Sequence, residues 1–274
     1  MRSVSRESRE RRTTVALGHW VIERGRSLVH GLDFLGSTVL GIARLLRGRT
    51  RHPGVRFGAA LQEAGVETLP VVALFALASG AVLTLLATQQ LEKLGFPGLA
   101  PRLVGIVILR ELSALMVGIA VAGRVASAYA AEVALSVASG EADELREAGR
   151  EPVDVLVAPR VLALTLMAPL LVAYANALAV LGGTAVGTGL TGLGLRSHVE
   201  ALLSALTLKH AVAGIVKGVV FGFVAAAAGC FRGLRSGSSP AAVGRAVRKA
   251  VVSAVVAVAL ADLVLTFVFK WVRL

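Results

Sequence analysis

Long uncharged stretches alternate with short polar ones along most of this chain. The run 68–91, TLPVVALFALASGAVLTLLATQQL, holds no charge and is followed by Glu92, Lys93 and a GFPGLAP turn. A second run, 103–123, reads LVGIVILRELSALMVGIAVAG, and its helical pattern continues through Arg124 to about Ser136. Further apolar runs lie near 161–181, 211–231 and 250–269. Each reaches the roughly 20 residues that carry a helix across a bilayer. The pattern predicts an all-α membrane protein with five spanning helices. At about 1.5 Å per residue the second helix exceeds what a bilayer needs, so its end should project beyond the membrane.

The polar segments have patterns of their own. Residues 139–160, SGEADELREAGREPVDVLVAPR, form an island between spans two and three. Ser139 is placed to cap a short helix at about 139–149, whose first turn holds Glu141, Asp143 and Glu144, a charge the helix dipole favours. Gly149 can end that helix, and Pro152 blocks its return. A glycine- and threonine-rich stretch, 182–195, leads to Arg196 and His198, and 199–210 is expected to be a short surface helix. Ahead of the first span, Leu17, Trp20, Val21, Leu28, Leu32, Leu35, Val39, Ile42 and Leu46 recur at three- and four-residue steps among arginines. This predicts amphipathic helix lying in the head-group plane. The organisation is then a disordered basic tail, 1–12, an interfacial region, 13–56, and a five-span domain, 57–274.

Composition agrees with the membrane reading. The chain is 55% hydrophobic, where a soluble domain of this size rarely exceeds about half. The net charge of +12 sits between apolar runs, which fits anionic head groups and excludes nucleic acid as the expected partner. About twelve Lys and Arg precede span one and five lie between spans four and five, against two and about two in the connections after spans one and three. The positive-inside rule puts the N-terminus, the island and the 232–249 loop in the cytoplasm and the C-terminus outside. His19, Glu23, Arg24 and Arg26 interrupt the first apolar residues, so no cleavable signal peptide is read there.

Several chemistries have no residues to carry them. Cys230 is the single cysteine, which leaves no intrachain disulfide or thiolate metal cluster. The five histidines are scattered without a His-Glu-x-x-His pattern, so no metal site is expected. A Gly-x-x-x-x-Gly-Lys-Ser/Thr loop is missing, so the chain should not hydrolyse ATP. No Gly-x-Ser-x-Gly elbow occurs, and Asp262 stands alone in its span, which disfavours an intramembrane hydrolase. No catalytic residue and no bound cofactor are expected.

The ionisable residues inside the spans are the candidates for function, because charge in hydrocarbon costs several kcal/mol on most scales. Arg110 and Glu111 fall in the middle third of span two. Adjacent helical positions point about 100° apart, so each should seek another partner. Arg124 follows Arg110 by fourteen residues, close to the same face. That spacing suggests a polar track for an amphiphile, with Glu132 further along. The alternative is structural: Arg110 or Glu111 pairing with Lys217 or Asp262 across the bundle. Lys217 alone would be expected to snorkel, and Asp262 to serve helix packing. Gly118, Ala120 and Gly123 would allow close helix approach.

The segments ILRELSALMVGIAVAGRVASAYAAEVAL and SGEADELREAGREPVDVLVAPRVLA resemble the MlaE/YrbE family of permeases, the membrane subunits of ABC transporters that work with MCE proteins on phospholipids and other lipids. Arg110, Glu111 and Leu112 match the family's Arg-Glu-Leu-Gly-Pro segment; Gly123, Arg124, Ala131 and Glu132 match the next conserved segment. Glu141, Asp143, Leu145 and Gly149 match the third, with Pro152, Pro159 and Arg160 at its end. The resemblance covers about 55–270. Ser113 and Ala114 replace Gly-Pro, which should soften a family kink, and Gly140, Ala142 and Ala148 depart within the island.

The resemblance implies a homodimer in the cytoplasmic (inner) membrane, with a lipid cavity between protomers near Arg110, Glu111 and Leu112. It implies that the island, through Glu141, Asp143, Leu145 and Gly149, is the coupling helix for a separate ABC ATPase, which uses the ATP. An MCE protein of the MlaD type would exchange lipid outside the cytoplasm, and a STAS-domain protein can complete such assemblies. Arg160, Lys217 and Asp262 are given structural or pairing roles. The rival implication is a passive anchor for an MCE ring that moves no lipid.

Overall fold

The computed structural model describes residues 30–48, 54–190, 195–204 and 207–272. The expected tail at 1–12 and residues 13–29 and 49–53 of the interfacial region lie outside these residues. Among the described residues every regular element is helical. Helix α1 covers 30–46 and α2 covers Gly54–Ala64. Then come α3 (Leu69–Lys93), α4 (Ala100–Val107), α5 (Ser113–Gly123), α6 (Val125–Ala138) and the short α7 (Glu141–Glu147). Helices α8 (Ala158–Leu190), α9 (Leu195–Ser204), α10 (Leu208–Leu234) and α11 (Pro240–Val272) complete the chain.

Five continuous helical stretches are long and apolar enough to cross a membrane: Arg56–Lys93, Ala100–Ala138, Val153–Gly189, Lys209–Leu234 and Pro240–Val272. This is a multi-pass membrane protein. The spans reach further than the apolar runs alone suggest. Residues 182–190 of the 182–195 stretch are not a connection, since α8 stays helical to Leu190; 191–194 lie outside the described residues. The expected 232–249 loop shrinks to 235–239, because α11 begins at Pro240. The surface helix sits earlier than read, as α9. In each case hydropathy marked the depth of the membrane, whereas helix length is set by where backbone hydrogen bonding stops.

The core lies where α6, α8 and α10 meet, and Tyr129, Leu164, Ala168, Phe221 and Ala225 are all buried there. Helices α3 and α11 lie outermost and present Leu74, Phe75, Val252 and Val256 outward. Small residues set the helix spacing, as expected where lipid removes the hydrophobic drive between helices. At the α3–α8 crossing a Cβ on Gly80 would collide with the Ala179 carbonyl, and one on Gly182 with the Leu77 carbonyl. Gly118 also serves a close approach, 2.8 Å from Phe221 and Val258 to its virtual Cβ. Gly123 does not, because a Cβ built there would meet no neighbouring atom within 4 Å.

Two π-helical turns interrupt the spans. One covers Ile108–Leu112 and the other Val153–Val157. The first shows that span two keeps a local irregularity although Ser113 and Ala114 replace Gly-Pro. Glycines 229 and 233 near the end of α10 pack on Ala126 and Ala130 in the first half of α6, so the two helices run parallel toward the same end of the bundle. Phe34 of α1 stacks edge-on against Phe231 at 5.1 Å. Helix α1, the α7 island and the α10–α11 turn therefore share one end of the bundle, here termed the α7 end.

Candidate functional site

The π-turn in span two places Arg110 and Glu111 on the flank of the bundle nearer the end opposite α7. A π-turn adds a residue without a full advance, so the phase of the helix changes across it. Lys217 of α10 is wholly buried and donates to Glu111 Oε2, to Asp262 Oδ1 at 2.7 Å and to Thr266 Oγ1 at 2.8 Å. All three ammonium protons thus have acceptors, one on α11's Asp262, one on Thr266 and one in span two. Lysine does not snorkel here, because carboxylates reach inward to meet it. The alternative pairing read from sequence therefore describes Glu111.

Arg110 is held differently. Its Nε lies 3.8 Å from Glu111 Oε1, a loose contact, and its side chain is 27% exposed. The two neighbours do meet, contrary to the expectation that adjacent helical positions would not pair. Two cations and two carboxylates make the cluster neutral overall. Leu112, at the end of the same turn, packs partly buried against the core.

Arg124 and Glu132 do not continue this cluster as a track. Arg124 donates to the Glu63 carbonyl at 3.2 Å, to Thr68 Oγ1 at 3.0 Å and to Glu67 Oε2 at 2.7 Å, clamping the turn between α2 and α3. Glu132 receives Arg160 Nε and Nη2, both at 2.7 Å. Arg160 also donates to the Leu156 carbonyl, which caps the second π-turn. Tyr129, fully buried, donates to the Ala60 carbonyl at 2.8 Å. These bonds lock α2, α6 and α8 together at the α7 end. A fourteen-residue spacing implied one face only for an unbroken α-helix, and the π-turn breaks that count. Of the side chains in these bonds, sequence reading missed Tyr129, Thr68 and Glu67; none carries a sequence signal of its partner.

Helix α7 forms within the expected island. Its N-cap is Gly140 at φ +85°, not Ser139, whose hydroxyl bonds instead to the Ser136 carbonyl. Gly149 at φ +69° follows its end, a left-handed position that favours glycine. Ala142 is buried beneath it, whereas Asp143 is exposed and pairs with Arg146 along the outer face. Glu141 takes an ion pair from Arg56 of α2. Burial raises the Glu141 carboxyl, but hydrogen bonds from Ser136 and Arg56, with the charge of Arg56, outweigh it and hold it below its ordinary value of 4.5. Asp154, on the second π-turn, pairs with Arg44 of α1. The island is thereby tied to both membrane-edge helices.

Residues 57–268 match the family model for the permease MlaE. The chain belongs to the MlaE permease family. A probable ABC transporter permease of Rickettsia typhi is 32% identical over 153 residues, 56% of this chain and 59% of that protein. The chloroplastic protein TRIGALACTOSYLDIACYLGLYCEROL 1 of Arabidopsis thaliana is 27% identical over 157 residues, 57% of this chain and 45% of its own. A probable ABC transporter permease of Synechocystis is 29% identical over 126 residues, 46% of this chain and 48% of its own. This MlaE-family chain thus spans about three fifths or less of the relatives it matches.

Proposed function

We propose that this chain is the membrane permease of a lipid-moving ABC transporter. Two copies would enclose a cavity against the flank that carries Arg110. A separate ATPase would dock on α7, and an MCE protein would take up or supply lipid at the end opposite α7. That end would face out of the cytoplasm, in keeping with the Lys and Arg distribution. Membership of the MlaE family supports the permease role, and the name of the Arabidopsis relative points to a lipid.

The observation that carries this reading is the wholly buried Lys217 holding Glu111 and Asp262 beside a half-engaged Arg110. Lys217 fixes Glu111, and Glu111 positions Arg110. Because the Arg110 contact is long, the guanidinium can exchange it for a lipid phosphate at small cost. A guanidinium fork matches phosphate oxygens in a bidentate way that an ammonium cannot. The cluster is neutral without ligand, so an arriving phosphate meets no net repulsion.

Reconstituting the chain with its ATPase and MCE partner into vesicles tests this. Arg110→Gln should reduce ATP-dependent transfer of labelled phospholipid at least tenfold with assembly intact. Unchanged transfer would refute the site, and an ATPase indifferent to lipid would favour the passive anchor. Replacing Asp143 and Leu145 should release the ATPase in pull-down; an ATPase that stays bound would exclude α7 as the dock.

A further inference from the structure

The geometry points to a binding site for an anionic phospholipid at the α7 end, between the end of α10 and the start of α11. It lies at the opposite end of the bundle from the Lys217 cluster and does not depend on the transport reading. Arg232, Arg235, Arg245 and Lys249 surround a cleft of about 420 Å³. With the exposed Arg248 they bring five positive charges to one turn of chain. None of the five forms an ion pair among the described residues, whereas Arg44, Arg56, Arg124 and Arg160 at the same end each have a carboxylate. Arg232 donates to the Ser253 hydroxyl at 3.4 Å and lies over the Phe231 ring at 6.0 Å from its centroid, a ring that Arg235 also covers at 5.2 Å. The buried Ser236 hydroxyl in the same cleft has no hydrogen-bond partner.

An apolar groove leaves this cleft along α11. It has a volume of about 680 Å³ and is walled by Val252, Val256 and Leu260, with Arg232, Arg248 and Lys249 at its mouth. A second groove of about 280 Å³, lined by Leu32 and Leu35 of α1, joins it at Arg232, Ser253 and Ala257. From Val252 to Leu260 the helix rises about 12 Å. One leaflet of hydrocarbon is about 15 Å deep. The groove along α11 therefore accepts most of one acyl chain, and the smaller groove opens apolar space beside it. A cationic mouth on a chain-length groove is the shape of a phospholipid with a negative head. A soluble anion would use the mouth and leave the grooves unused.

The test uses the full chain in neutral detergent, with lipid retention read by native mass spectrometry. Phosphatidylglycerol should be retained over phosphatidylcholine. Arg248→Gln with Lys249→Gln removes two exposed charges and should weaken phosphatidylglycerol roughly thirtyfold at low salt, from about fivefold per basic residue near an anionic surface. Arg47→Gln with Arg150→Gln, also two exposed cations, should change it less than threefold. Val256→Trp fills the groove with all charges kept and should also release the lipid. The inference fails if the two double variants lose lipid equally, or if Val256→Trp retains it. It also fails if glycerol phosphate competes as well as the intact lipid.

Discussion

Lys217 Nζ lies 2.7 Å from Asp262 Oδ1 while also donating to Glu111, so one buried ammonium joins span two, α10 and α11. Both carboxylates depend on it, because no other cation among the described residues contacts Asp262 and only the long Arg110 contact touches Glu111. Removing one member of a buried ionic group leaves uncompensated charge, which typically costs about 3–5 kcal/mol.

Lys217→Met should therefore destabilise the chain by roughly 3 kcal/mol, at the lower end because Glu111 stays partly exposed. Unfolding in detergent micelles reads this directly. The triple change Lys217→Met, Glu111→Gln, Asp262→Asn should recover most of the loss, since no charge then remains unmatched. Equal instability of the single and triple variants would show that shape, not charge, governs the site.

Arg110→Lys keeps the charge and loses the planar fork. Lipid transfer should fall close to the level of Arg110→Gln, with thermal stability within about 0.5 kcal/mol of the parent, as for other partly exposed positions. Full activity in the lysine variant would mean that a point charge is sufficient.

The Arg56–Glu141 tie should be insensitive to pH across the neutral range. Glu141 titrates below its ordinary value of 4.5, so its ionised form is favoured in the folded chain. That contribution is complete above the ordinary value and is lost as pH falls through the lowered one. Spin labels on the outer faces of α2 and α7 should hold one distance from pH 7 to 5 and separate only below about 4.5. In Glu141→Gln the pH dependence should disappear. Separation beginning near pH 6 would contradict the assignment.

Gly182→Ala places a methyl against the Leu77 carbonyl, which is backbone and cannot rotate away. Overpacking of this kind costs about 1–3 kcal/mol. Gly123→Ala meets open space and should be neutral or slightly stabilising, since alanine favours helix over glycine. Unfolding midpoints of the two variants give the comparison.

Span count and the position of α7 were legible because both rest on local patterns, apolar length in one case and glycine and acidic placement in the other. Ser139 misled as a cap because Gly140 already takes the left-handed turn, leaving the serine as the C-cap of the preceding helix. The pairing of Lys217 was legible only as one of two options. Which partner a buried cation finds depends on how α10 and α11 are rotated, and periodicity carries no information on that angle. Arg124 was assigned to Arg110's face by counting residues, a count the π-turn at Ile108–Leu112 invalidates. The ties of Tyr129 to Ala60 and of Thr68 to Arg124 use backbone or small hydroxyl acceptors that look the same at any position.

The left-handed glycines flanking α7 turn seven residues into a separate short lever with a bend at each end. A push on its outer face cannot run straight along a helix axis into the interior. It must cross sideways through Arg56 into α2, through the Ser136 bond to Glu141 into the end of α6, or through Asp154 and Arg44 into α1. Force applied to this lever would thus shift the membrane-edge collar before it disturbs the deep ions.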